Sequence, residues 1–320
     1  LCRLYCSIIL CDCGNVVHGN EKRYSGYRLR KEDMVMTKSM KFSAKFGKFM
    51  FYFGNIVIGI IFVSPLIWMI SASLKPEAKI FADMDSLATF LPIQASLDNY
   101  AEVFSRLNMP QVFKNTLLYI GLILIFDLLV NSMCGYALAK FDFKGKGAIM
   151  NLVIALMVLP MEAIMLPLYI EMSQLGWVNT LPALVVPFIA KCFSIYMFRQ
   201  FFCDVPDELI EAAAIDGAGK WKQFFQITVP LITPVIFYNF VTQLCHKFQE
   251  FNGPFIVTQG GPLRSTTLVS LLVYNEAFKR NEMGLASAIA WLLFLVIMTF
   301  TAVAFISQKY WVYYADEDGR

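Results

Sequence analysis

Six stretches of this chain each run for more than 20 residues with one charged side chain or none. Lys48 to Lys75 encloses no charge, Lys114 to Lys140 only Asp127, and Lys146 to Glu171 only Glu162. Glu171 to Arg199 encloses only Lys191, while Lys222 to His246 and Glu282 to Lys309 enclose none. About 20 apolar residues in a helix span the hydrocarbon core of a bilayer. Lipid offers no partner to a backbone N–H or C=O, so each run must close its hydrogen bonds within itself. The runs are too long and too evenly apolar for barrel strands. The reading is an all-α integral membrane protein with six transmembrane helices, at about residues 48–74, 115–139, 147–170, 181–202, 229–249 and 284–307. Residues 1–47 form an N-terminal tail, 75–112 an extracytoplasmic segment, 113–308 a core of five helices and 309–320 a C-terminal tail.

Composition agrees with lipid as the solvent. Of 320 residues, 58% are hydrophobic and 16% charged, where a soluble domain carries about a quarter charged. Mean hydropathy is +0.57. A net charge of +3 excludes the strong basic field of a nucleic-acid partner. Eight cysteines do not make a scaffold. Cys2, Cys6, Cys11 and Cys13 crowd the start, and Cys134, Cys192, Cys203 and Cys245 scatter through apolar runs. The Cys11-x-Cys13 spacing is too close for a zinc pair, and His18 and His246 are the only histidines, so no metal site is expected. Residues 1–33 resemble neither a signal peptide nor a span. They read as a disordered tail or an over-extended start, with Met34, Met36 and Met40 as candidate beginnings.

An even number of spans puts both ends on one side. If that side is the cytoplasm, inside segments hold 18 Lys plus Arg against 8 outside, or 12 against 8 without residues 1–33. The positive-inside rule therefore places both termini in the cytoplasm. Prolines punctuate three spans: Pro160 and Pro167, Pro182 and Pro187, Pro230 and Pro234. Each removes an intrahelical bond and predicts a kink.

The loop between spans four and five, residues 204–229, carries the most specific pattern. Asp204 or Val205 suits a cap, Pro206 a first turn, and Asp207 and Glu208 the positive end of a helix dipole. Ala212–Ala214 favours helix and Gly217 supplies a left-handed stop. A second short helix is expected from Lys220 to about Gln226, ending at Pro230. Three successive alanines on such a helix let another surface approach closely, which reads as a docking face. Gly217-Ala-Gly-Lys220 does not complete a phosphate-binding loop, because Ala214 and Trp221 stand where Gly and Ser or Thr are needed. No catalytic motif stands in a suitable context.

Glu211-Ala212-Ala213, then Gly217 after three intervening residues, Ile227 after nine more and then Pro230 resemble the EAA loop of ABC importer permeases. Val229 replaces that pattern's usual Leu, and Asp216 and Ala218 match its sugar-importer form. Trp68–Lys75, Asp98–Phe104, Asn115, Gly135–Lys140, Leu159–Met161 and Leu166–Tyr169 are similar to the maltose-type inner permeases. Asn252–Phe255, Gly260–Pro262 and Thr266–Leu268 are more similar to their partner permeases, which leaves open the position this chain fills.

The resemblance implies the type I ABC importer fold, a cytoplasmic-membrane location, and passage of a sugar or oligosaccharide. It implies three kinds of partner: a second permease in a heterodimer, ATPase subunits that bind ATP and Mg, and an extracytoplasmic solute-binding protein. The chain itself would hold no cofactor and catalyse nothing. Glu211 would make a charged contact with the ATPase, Ala212 and Ala213 would permit close docking, and Gly217 would make the turn. Other solutes, glycerol phosphate or a peptide, stay open. For solute contact the candidates are Lys191, Tyr196, Tyr238, Asn239, Gln243 and Asn252, whose amides, hydroxyls and ammonium suit sugar hydroxyls. An ion-coupled secondary transporter is the rival class, and it would use the intramembrane carboxylates Asp127 and Glu162.

Overall fold

The computed structural model describes residues 38–314, with side chains from residue 47 onward. The readings of the N-terminal segment, Cys2 to Cys13 and His18 included, and of the last six residues lie outside the described residues. Two compact units divide at Phe62 and Val63. The first contributes the beginning of helix α1 (Lys38–Leu74), a continuous apolar helix that exposes Phe49, Ile56, Ile60 and Phe62. From Val63 the same helix belongs to the second unit, which holds all that follows.

All regular secondary structure among the described residues is helical, with no strand among them. Three helices are long and apolar enough to cross a membrane unbroken: α1 from Gly47, α4 (Met109–Lys140) and α13 (Met283–Trp311). Three bent pairs bring the candidate crossings to as many as six when each pair is counted as one span. These are α5 (Lys146–Leu156) with α6 (Met161–Gln174), α7 (Leu181–Phe188) with α8 (Cys192–Asp204), and α10 (Lys220–Leu231) with α11 (Thr233–Phe248). Between them lie the short helices α2 (Glu77–Ala82), α3 (Asp98–Arg106), α9 (Asp207–Ile215) and α12 (Val269–Tyr274).

The bends correct three sequence expectations. Span three is not one kinked helix over 147–170, because α5 and α6 meet at 107°. Pro160 there is extended (ψ 137°) and forces Leu159 out of helical geometry as well. Span four bends by 43° across 189–191, beyond Pro187. The helix after Gly219 does not end at Pro230. It runs on to Leu231 through a π-helical stretch, Phe224–Thr228, whose wider hydrogen-bond pattern accommodates the proline. The 62° break falls at Ile232 instead.

The main core joins α4, α7, α11, α12 and α13 through Tyr119, Ile123, Leu184, Phe188, Leu244, Phe248, Val269 and Ile289. A second core, Phe198, Phe202, Val205, Ile232 and Val235, sits under the 204–220 loop. Helices α4 and α8 pack closest where a Cβ on Gly135 would lie 2.5 Å from Phe198 Cβ and 2.9 Å from the Arg199 nitrogen. Only glycine permits that contact.

Polar side chains close the helix ends at the face opposite that loop. Buried Asn99 donates to the carbonyls of Ser73 and Lys75, both at 2.9 Å, and so caps α1 from α3. Tyr100 donates to or accepts from Ser73 Oγ at 3.1 Å. Glu77 accepts from the backbone N–H of Met283 (2.8 Å) and Gly284 (2.9 Å), a carboxylate at the positive end of α13. Asn115 donates to the Arg264 carbonyl at 2.8 Å and Thr116 accepts from Val269 N–H at 3.1 Å, tying α4 to α12 and the loop before it. The segments Trp68–Lys75, Asp98–Phe104 and Asn115 are therefore joints between helices. Asn99→Ala leaves the α1 carbonyls without these donors and should cost roughly 1–3 kcal/mol. The thermal unfolding midpoint in detergent should fall accordingly, while Asp85→Ala, on an exposed side chain, should stay within about 0.5 kcal/mol of the parent.

Candidate functional site

Two groups of residues carry chemistry: the 204–230 loop and a polar cluster where α4, α7, α8 and α11 meet. The loop's order begins with Val205 and Pro206, both extended (ψ 116° and 130°), which end α8 at Asp204 and start α9 at Asp207. The expected cap from Asp204 or Val205 does not form. Asp204 closes the preceding helix, and no side chain caps α9. Asp207 and Glu208 in its first turn face the dipole instead. Lys140, at the end of α4, donates to the Val205 carbonyl (3.0 Å) and to Asp207 Oδ1 (2.6 Å), clamping the loop to span two.

At the other end of α9, Ala218 N–H donates to Ala213 O (2.9 Å) and Gly217 N–H to Ala214 O (3.1 Å). With Gly217 at φ +82° this is the Schellman arrangement that suits glycine. Gln223 Nε2 then donates to Ala218 O at 2.7 Å, holding α10 against the turn. Tyr136 of α4 packs edge-on against Phe141, Phe202 and Phe224, with centroids 5.1–5.7 Å apart, and supports α10 from beneath.

Glu211, Ala212, Asp216 and Gly217 are exposed, Ala213 and Ala218 half-buried. Ile227 and Pro230 are half-buried on α10, which packs against α9, so all eight residues of the pattern fall on one assembly. Around the alanines stand apolar groups that the pattern did not single out. Ile215 is 87% exposed and Trp221 78% exposed, with Leu209 and Phe225 exposed as well. Trp221 and Phe225 stack at 6.0 Å.

In the interior cluster, Lys191 Nζ donates to Gln243 Oε1, and Gln243 Nε2 donates to Ser194 Oγ at 3.4 Å. Asn131 of α4 accepts from Lys191 N–H (2.9 Å) and donates to Ile189 O (3.1 Å), satisfying the backbone where span four loses its helix. Lys247 pairs with Glu250 at 3.1 Å and lies 5.2 Å above the Phe188 ring. Of six solute-contact candidates the structure thus joins two, Lys191 and Gln243. Asn239 is buried and donates to Val235 O of its own helix at 3.0 Å. Tyr196 packs with Leu138, Met150 and Ile195. Tyr238 is exposed, and Asn252 lies past the end of α11. Asn131, Ser194 and Lys247 were not anticipated, although Asn131 stands one helical turn from Asp127. Glu162 is exposed in the first turn of α6, while Asp127 is buried.

Residues 131–312 match the family described as "Binding-protein-dependent transport system inner membrane component". The chain belongs to that family. It is thus a multi-pass inner-membrane transport component, and the match takes in both the loop and the interior cluster. The arabinooligosaccharides transport system permease protein AraQ of Halalkalibacterium halodurans is 33% identical over 219 residues, 68% of this chain and 76% of that protein. The trehalose/maltose transport system permease protein MalG of Thermococcus litoralis is 28% identical over 263 residues, 80% and 91% of the two chains. A chain of a bacterial ABC transporter involved in import of the acidic polysaccharide alginate has the same fold, with TM-score 0.69 and 17% identity over 84% of this chain and 98% of that one.

The left-handed turn carries a direct test. Gly217→Ala puts a Cβ at φ +82° and should cost about 1–2 kcal/mol locally, with Gly217→Asn milder. Amide hydrogen exchange across 207–218 should speed up in that order, and exchange in α4 should not change.

Proposed function

We propose that this permease forms half of the membrane pathway of an ATP-driven importer for a sugar or oligosaccharide, with the 204–230 loop as its coupling element. The observation that carries this reading is the clamped loop. Lys140 and the aromatic support under α10 make α9 a rigid extension of the spans, while its alanines, Ile215 and Trp221 stand on the outer side of the loop. A rigid lever with a small-residue face and exposed apolar groups is suited to a groove on a separate ATPase. Closing of paired ATPases, which bind ATP and Mg, would draw two such levers together and rock the spans between inward- and outward-open arrangements. The family description calls for a solute-binding protein, and delivery from the extracytoplasmic side fits the charge asymmetry that puts both termini in the cytoplasm.

Sugar as cargo is supported by relatives whose names specify arabinooligosaccharides and trehalose/maltose. Lys191 and Gln243 offer an ammonium and an amide to sugar hydroxyls in the span-four break, and a second permease would complete the path. Affinity capture of the chain from native membranes, read by mass spectrometry, should recover an ATPase and a second permease. Gly217→Asp should keep the second permease and lose the ATPase. A chain that captures neither, yet still supports uptake, would sink the reading.

A further inference from the structure

A cleft of about 480 Å³ opens at the start of α4, between the 259–267 loop and the residues that follow α12. The other end of α4 carries the Lys140 clamp, so the cleft lies at the face opposite the 204–230 loop. Its size is that of a small-ligand pocket. Leu107, Val112 and Leu272, all buried, give it an apolar floor. Arg264, Lys279, Arg280 and Glu276 supply the charge. Glu276 and Arg280 neutralise each other through contacts at 2.9 and 3.0 Å. Arg264 and Lys279 pair with no carboxylate among the described residues, and the Lys279 ammonium lies 6.0 Å from the Phe255 ring centroid. Three of the four Lys and Arg in residues 247–282 thus meet at one cleft, on the side where the positive-inside rule disfavours cations.

The backbone around Arg264 is held from several directions. Asn115 donates to its carbonyl at 2.8 Å, Gly261 N–H donates to Thr258 O at 2.8 Å, and Ser265 N–H to Pro262 O at 2.8 Å. Arg264 sits at φ +63° beside Leu263 at φ +48°, a left-handed pair that side-chain-bearing residues keep only where surrounding contacts impose it. On the opposite wall, Asn275 Oδ1 is buried and accepts no hydrogen bond from any described residue. A buried acceptor without a donor calls for one from a ligand. We infer that this cleft is an entry subsite for an acidic sugar, a ring that carries a carboxylate beside its hydroxyls. The carboxylate accepts charge-assisted hydrogen bonds from Arg264 and Lys279, and a hydroxyl donates to Asn275 Oδ1. The apolar face of the ring covers Leu107, Val112 and Leu272. A neutral sugar makes only the last two kinds of contact, so the two uncompensated cations set the preference.

The inference rests on the importer reading, whose orientation turns the cleft outward, and its test keeps the two apart. The complex is recovered through this chain from native membranes and placed in lipid nanodiscs without its binding protein. It is titrated with digalacturonate and with the uncharged dimethyl ester, and binding is read by saturation-transfer NMR. Wild type should bind the acid about tenfold more tightly than the ester. Arg264→Gln and Lys279→Gln should each cut that preference roughly threefold, and the double variant should abolish it. Asn275→Ala should weaken both sugars alike, and Lys79→Gln, an exposed cation away from the cleft, should change nothing. Equal affinity for acid and ester, or a preference that survives the double variant, overturns the subsite. So does competition by sulfate that matches digalacturonate at constant ionic strength, because the cations are then a general anion patch. If the double variant keeps its sugar affinity and loses capture of the binding protein, the cleft is a docking surface and the subsite is again overturned. Capture of no ATPase by the wild-type chain, read before any sugar is added, sinks the importer reading itself.

Discussion

Every backbone polar group at the depth of the hydrocarbon core has to find its partner within protein, because lipid supplies none. An unbroken helix meets that demand alone, and α1, α4 and α13 do so. The other three crossings are bent, and each bend frees carbonyls and N–H groups at depth. The structure answers with side chains brought from elsewhere. Asn131 spans both sides of the break in span four, and Asn99, Glu77 and Thr116 close helix ends across gaps of many residues in sequence. These joints tie α3 to α1, α2 to α13 and α4 to α12.

Contacts from the spans also hold the loop between spans four and five in place. A short helix such as α9 has little stability of its own. It is kept by the Lys140 clamp at one end, the left-handed turn at Gly217 at the other, and the Tyr136 cluster below α10. None of these uses the outer face. Ile215 and Trp221 stay exposed and take no part in these contacts, so the residues that hold the loop and the apolar groups on its surface are physically separate.

In the interior, polar side chains close their bonds from helix to helix. Asn131, Asn239, Glu250 and Lys247 have their hydrogen bonds and charges closed within the chain. Gln243 joins Lys191 to Ser194 across the break in span four, and Asn131 holds the backbone on either side of it.

The membrane class, up to six crossings, and the short helix Asp207–Ile215 with its glycine stop were legible in the residues alone, whereas the expected cap at Asp204 or Val205 and the expected helix end at Pro230 were not met. Long uncharged runs admit few structures in lipid, and the Glu211–Gly217 spacing sits within one helix and its cap, where local chemistry decides. Proline positions announced bends, but not that Pro160 would turn its span by 107° or that a π-helical stretch would carry α10 past Pro230. Which polar residues meet was settled by packing and by nothing local. Lys191 and Gln243 are 52 residues apart and Asn131 reaches a break 58 residues on, so no short pattern could pair them. Tyr238, Asn239 and Asn252 share the same residue chemistry yet stand apart from that cluster. Helix rotation and packing depth set that difference, and in an apolar solvent both are fixed by which neighbouring helix supplies the missing hydrogen bond.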